Sequence, residues 1–217
     1  NEDQKAAVYK VMSARDYSII QGFPGTGKTS VIVFIARLMI ALGKRLLVTS
    51  YTHAAVDNIL LKLIESGVGT TARNDEINTD IVRIGPKSAC HPSLHHVRAH
   101  ELAFQIDRVN CENELHADGK LLMPSISSLH HVVSSAKIIG VSALTIPKSP
   151  LLAGQDFDCV VVDEAGQISQ PATIGALLAG NSFVLVGDHE QLPPLVQNEA
   201  AEQAGYGVSM LKRLADK

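Results

Sequence analysis

The sequence predicts an α/β domain in which a parallel sheet is flanked by helices on both faces and interrupted once by a helical insertion. Short Val/Ile-rich runs alternate with segments of helical period, as in parallel strands buried on both sides. A glycine-rich loop falls between the first such run and the first helix. Residues 86–134 break the alternation, holding seven of the nine histidines and no long β-rich run.

Taken in order, strands are expected at 17–21, 45–50, 81–84, 137–142, 158–163 and 183–187. A helix over 28–42 should stop at Gly43, and one over 53–66 at Gly67, because glycine adopts the left-handed conformation that ends a helix without strain. Inside 86–134, Pro92 suits a first helical position, and Leu94, Val97, Leu102, Phe104, Ile106, Val109 and Leu115 form a partial apolar stripe. The main insertion helix is therefore expected over 92–116. The organisation that results is one domain in two parts, 1–85 and 135–217, with the insertion at 86–134.

Composition narrows the class. The chain has 217 residues, 46% of them hydrophobic, enough for one large core. Its longest apolar run, 31–42, is broken by Arg37 and falls short of the roughly 20 residues that cross a bilayer, so no membrane partner is expected. Three cysteines make no disulfide framework and fit a reducing, intracellular compartment. The net charge is only -3, but seven basic residues face three acidic ones within 1–50, against three and nine within 151–217. Positive charge thus collects around the glycine loop. The first residues form no signal-peptide core and include no initiator Met, so the chain is expected to be part of a longer protein.

That loop reads Gly22-Phe23-Pro24-Gly25-Thr26-Gly27-Lys28-Thr29-Ser30, a match to G-x-x-x-x-G-K-[ST] in its confirming strand-to-helix context. Glycines let backbone N–H groups curl around phosphate oxygens, the helix N-terminus adds partial positive charge, Lys28 reaches the outer phosphates and the Thr29 hydroxyl suits Mg²⁺. A second apolar run delivers Asp163 and Glu164 to a strand end, where open parallel sheets bind ligands. Asp163 can hold Mg²⁺ and Glu164 can deprotonate a water. A third run ends near Gln191, which could reach a γ-phosphate; alone, that segment is an ordinary turn stiffened by Pro193 and Pro194.

Asp163-Glu-Ala-Gly166 also fits the D-x-x-G of GTPases, but no Asn precedes a Lys anywhere in the chain, and the Leu-Ser-Gly-Gly of transporter ATPases is missing. His91/His95 and His96/His100 have the i, i+4 spacing of zinc ligands, yet Pro92 falls between the first pair and no C-x-x-C accompanies them. A solvated histidine-rich helix is therefore the expected state, rather than a zinc site.

In sequence order, Gly22–Thr29, Thr49–Asn58, Asp163–Gly166 and Gly187–Pro194 resemble motifs I, Ia, II and III of superfamily 1 helicases. The wording Thr-Ser-Tyr-Thr-His-Ala-Ala-Val-Asp-Asn is most similar to the 5′-to-3′ branch, in particular to the eukaryotic replication helicase/nucleases that trim Okazaki flaps. The resemblance implies a RecA-like P-loop NTPase fold and the first motor half of an ATP-dependent helicase in DNA replication or repair, using ATP and Mg²⁺. It further implies that Gln4 reads adenine, that Gln191 couples the γ-phosphate to motion, and that Thr49, Ser50, Thr52 and Asn58 contact single-stranded DNA. Hydroxyl and amide side chains suit phosphate contacts that carry no base information. A helix N-cap at Thr52 and a plain surface amide at Asn58 are the competing readings. By resemblance, a second RecA-like half with arginine fingers should follow Lys217, and the protein should act in the nucleus. RNA as the substrate, as in the nonsense-mediated-decay helicases, and a non-catalytic nucleotide-binding module are the alternatives.

Overall fold

Six strands pair, all parallel, in the order β1-β6-β5-β2-β4-β3, and this order decides which loops meet. The computed structural model describes residues 2–69, 77–111 and 123–216. Along the chain, α1 (Glu2–Ser13) leads to β1 (Tyr17–Gln21), α2 (Lys28–Ala41), β2 (Leu46–Ser50), α3 (His53–Glu65) and β3 (Ile81–Arg83). Then come α4 (Ala99–Cys111), α5 (Ile126–Ser135), β4 (Ile138–Ser142), β5 (Phe157–Asp163), α6 (Gln170–Leu177) and β6 (Gly180–Gly187). Short helices α7 (Glu199–Gln203) and α8 (Met210–Ala215) close the described chain.

Each central strand feeds two cores, which is why it reads as a continuous apolar run. Leu46 and Val48 of β2 pack with Val31, Ile32 and Ile35 of α2 and with Ile59, Leu60 and Leu63 of α3. Leu47, one residue out of phase, packs on the other face with Leu102 and Ala103 of α4, Val132 and Val133 of α5, and Ala176 of α6. The α3 helix lies so close to β4 that a Cβ at Gly140 would stand 2.5 Å from Leu60 Cδ1.

All six expected strands form, β1 with the expected bounds and the others with at least one end displaced by one to three residues. The largest displacement is at β6, which starts at Gly180, opposite Phe157 of β5. The expected single helix over 92–116 does not form as such. Pro92–Val97 is a 3-10 helix, and α4 begins only at Ala99. Arg98 between them is extended, at φ -68° and ψ 138°, because it bridges to Arg83 at the sheet edge. Residues 112–116 of that expectation lie outside the described residues. Among the described residues, no helix is long and apolar enough to cross a membrane.

Candidate functional site

The carboxyl ends of β1, β6, β5 and β2 stand side by side in the sheet, so four separate loops open onto one edge. From β1 the chain turns through the glycine loop into α2. Gly25 and Gly27 have φ of 79° and 87°, a conformation glycine adopts without penalty. At Gly22 a Cβ would come 2.8 Å from Thr26 Oγ1, so the loop closes only around a hydrogen atom. No side chain caps the N-terminus of α2, leaving its first-turn N–H groups to an anion. Lys28 folds back, donating from Nζ to the carbonyls of Gly22 (2.6 Å) and Phe23 (3.2 Å). From α1, Gln4 Nε2 donates to Thr26 O at 3.2 Å, which ties the first helix to the loop.

β5 delivers the acidic pair. Asp163 is buried at the strand end, and burial together with the adjacent Glu164 carboxylate pushes its pKa up to about 6, against the opposing pull of Lys28 and Lys62. Glu164 has φ 52° and is the only non-glycine residue with positive φ among the described residues. Such a conformation costs about 1 kcal/mol and persists where the surroundings impose it. Here the imposing contact is visible: a Cβ on Gly166 would lie 2.6 Å from Asp188 O, and one on Gly187 would lie 3.2 Å from Ala165 N. The turn after β5 is thus pressed against the end of β6, and glycine is required on both sides.

Beyond β6, Asp188 accepts from Gln191 Nε2 and from Glu190 N, both at 3.0 Å, and these bonds hold its carboxyl below the usual range. The bend directs Gln191 into a cavity of about 430 Å³ shared with Lys28, Thr29, Ser30, Lys62 and Glu164. Pro24, Gly25 and Gly27 complete its wall. Lys28 also lines a neighbouring cavity of about 580 Å³ with Gln4, Phe23 and His189, the last bonded to Gln21 at 2.9 Å.

The four residues expected to contact a strand separate into two pairs. Thr49 and Ser50 are fully buried, so the expectation that their side chains meet a strand on the surface is corrected: β2 is central, and β5 and β4 flank both positions. Thr52 and Asn58 are exposed on α3, and Thr52 Oγ1 accepts from Ala55 N at 3.2 Å as the helix N-cap. Ser50 instead pairs in register with Asp163, and its hydroxyl is buried without a hydrogen-bond partner. Sequence reasoning also passed over Lys62, which belongs to none of the motifs; only the packing of α3 brings it to the cavity.

Hydroxyl and carboxylate donors suit a hard divalent cation with part of its water shell. Thr29, the buried Asp163 carboxyl and the Ser50 hydroxyl, which is buried without a hydrogen-bond partner and in register with Asp163, supply that chemistry. The residues therefore fit Mg²⁺.

A parallel sheet, a glycine loop opening a helix, and a buried acid on a nearby strand end together define the RecA-like P-loop class. Within it, the chain belongs to the AAA domain family, whose sequence pattern matches residues 1–121 and 105–199. The chain is 39% identical over 218 residues to the DNA replication ATP-dependent helicase/nuclease DNA2 of Saccharomyces cerevisiae, covering 100% of this chain and 12% of that protein. It is 37% identical over 216 residues to the DNA replication ATP-dependent helicase/nuclease JHS1 of Arabidopsis thaliana, covering 100% and 14%. With the human DNA2 it shares 37% identity over 214 residues, covering 99% and 18%. The chain thus spans less than a fifth of each of these relatives. Among solved structures, the UvsW helicase of bacteriophage T4 aligns with a TM-score of 0.52 at 14% identity, over 95% of this chain and 56% of that one. A nuclease-deletion mutant of the restriction-modification enzyme LlaGI aligns at 0.53 and 12%, over 92% and 19%. Both likenesses concern the fold.

Proposed function

We propose that this chain is the ATP-binding and ATP-hydrolysing motor half of a DNA helicase that couples hydrolysis to movement along single-stranded DNA during replication or repair in the nucleus. One observation carries the chemistry: Lys28, Thr29, Glu164 and Gln191, separated in sequence by up to 163 positions, line a single cavity. Whole-length identity of 37–39% to replication helicase/nucleases carries the choice of substrate.

In this reading the loop N–H groups and the N-terminus of α2 cradle the phosphates, and Lys28 exchanges its two loop carbonyls for phosphate oxygens. Thr29 and Asp163 would hold Mg²⁺, which neutralises charge on the outer phosphates when bound. Glu164, set apart from Asp163 by its left-handed backbone, orients water and accepts its proton. Gln191 presents its amide to the outer phosphate while its Nε2 is bonded to Asp188, so a change at the phosphate reaches the exit of β6. Gln4 reads the base. Thr52 and Asn58 are the strand contacts, and a second RecA-like half supplies arginine fingers.

The test is steady-state ATP hydrolysis by the full-length protein, with and without single-stranded DNA, in the wild type and in Glu164→Gln. DNA should stimulate the wild type, and Glu164→Gln should keep Mg·ATP affinity but lose about 10²-fold or more in turnover. Wild-type turnover in Glu164→Gln would overturn the catalytic assignment. Stimulation by RNA in place of DNA would overturn the substrate.

A further inference from the structure

We propose that Lys62 is a second phosphate-contacting cation of this site, entering the cavity from α3 and distinguishing a nucleoside triphosphate from a diphosphate. The inference rests on the nucleotide-site reading above and adds a residue that no P-loop motif contains.

Lys62 lies in the last turn of α3 and lines the same cavity as Lys28, Thr29, Glu164 and Gln191. These groups divide by origin. Lys28 and Thr29 come from α2, Glu164 from the turn after β5 and Gln191 from beyond β6, whereas Lys62 alone among them comes from α3. It is half-buried, and among the described residues its ammonium makes no hydrogen bond or ion pair. That sets it apart from Lys44 and Lys137, which pair with Asp158 and Asp80 at the opposite end of the sheet. An ammonium with no partner of its own can take up an anion in the cavity through charge-assisted hydrogen bonds. Asp163, Glu164 and, one turn along the same helix, Glu65 form no ion pair with it among the described residues, and its charge acts on Asp163.

Its position is held from behind. Ile59, Leu60 and Leu63 are fully buried against the sheet. One turn after the helix start, Asp57 accepts from Arg83 Nε at 2.5 Å and from His91 N at 2.7 Å. Arg83 is itself buried, donates to Ile84 O and reaches His53 Nδ1 at 3.1 Å. A helix fixed by apolar packing and a buried ion pair presents Lys62 with little freedom except in its side chain. Gln191, the residue proposed above to meet the outer phosphate, lines the same cavity as Lys62, and on that reading the ammonium meets the γ rather than the α position.

The experiment is calorimetric titration of the full-length protein with Mg·adenylyl-imidodiphosphate and with Mg·ADP, for wild type, Lys62→Met, Lys62→Arg and Lys28→Ala. Methionine keeps the aliphatic stem that packs beside the cavity and removes only the charge. Lys62→Met should weaken the triphosphate analogue by about tenfold, the size of one charge-assisted hydrogen bond, with ADP affinity unchanged. Lys62→Arg should restore most of the difference. Equal loss for both nucleotides would show a structural role and overturn the proposal. If Lys62→Met binds both as wild type while Lys28→Ala does not, the Lys62 contact fails and the nucleotide site stands. If neither variant affects either nucleotide, the site reading fails as well.

Discussion

Asp163 illustrates how a single residue carries both legible and hidden information. Its place as the acid ending an apolar strand can be read directly from the string, since five residues before it are Cys or Val and Asp. What the string does not display is that the carboxyl is buried on a strand flanked by β2 and β6, with Glu164 beside it, so that its pKa rises from 3.8 to about 6. Charging such a group costs the folded state about 3 kcal/mol. The sign follows from linkage: a raised folded value means stability is fully present below pH 3.8 and is lost as pH rises through about 6. In metal-free protein, Asp163→Asn should therefore melt several degrees higher than wild type at pH 7.5, with the gap vanishing below about pH 4. The same variant should bind Mg·ATP less well, because the amide cannot replace the charge. Thermal melts across that pH range are the check, and a gap independent of pH would show that burial does not govern the group. Thr49 and Ser50 make the complementary point: polar residues in a strand look like surface until neighbours on both sides are known.

At the scale of elements, strands and the two long helices were legible because their signals are local. A sheet buried on both faces writes Val160, Val161 and Val162 without a break, and Gly43 and Gly67 end α2 and α3 with φ of 73° and 87°. The insertion was less legible because its break is tertiary: Arg98 is extended to meet Arg83, 15 positions away. Its second anchor, Asp107, gives no local sign either. Asp107 accepts from Ser125 N (2.6 Å), Ser125 Oγ (2.9 Å) and Ser128 Oγ (2.5 Å), joining α4 to the start of α5. Burial alone would raise its pKa, but the three hydrogen bonds outweigh it and hold the carboxyl below the usual range. Asp107→Ala should cost about 2 kcal/mol, having removed charge-assisted bonds from a buried site. Because the folded value is lowered, this stabilisation is present above about pH 4 and is lost as pH falls through the folded value. Denaturant titrations at neutral and acid pH should show the deficit shrinking on acidification.

For the molecule as a whole, the order β1-β6-β5-β2-β4-β3 is what assembles the site, and no local pattern encodes it. Motifs distant in sequence become neighbours because β6 and β5 insert between β1 and β2, bringing Gln191 and Glu164 to the loop that holds Lys28. The contact between the turns after β5 and β6, made possible by Gly166 and Gly187, gives that assembly a mechanical link. This accounts for a glycine at a position that otherwise fits the GTPase pattern. Of the seven basic residues of 1–50, only Lys28 lines the cavity at the glycine loop; Lys44 and Arg45 are engaged at the other end of the sheet, so the basic excess of this segment is not gathered at the loop. The central claim, that this sheet edge binds the phosphates of ATP through Lys28, is tested most directly by calorimetric titration of Mg·ATP into wild-type and Lys28→Ala protein with matched melting temperatures. The account predicts a loss of at least about 30-fold in affinity from removing that one ammonium, with the fold retained. Unchanged affinity in a folded Lys28→Ala protein would contradict it.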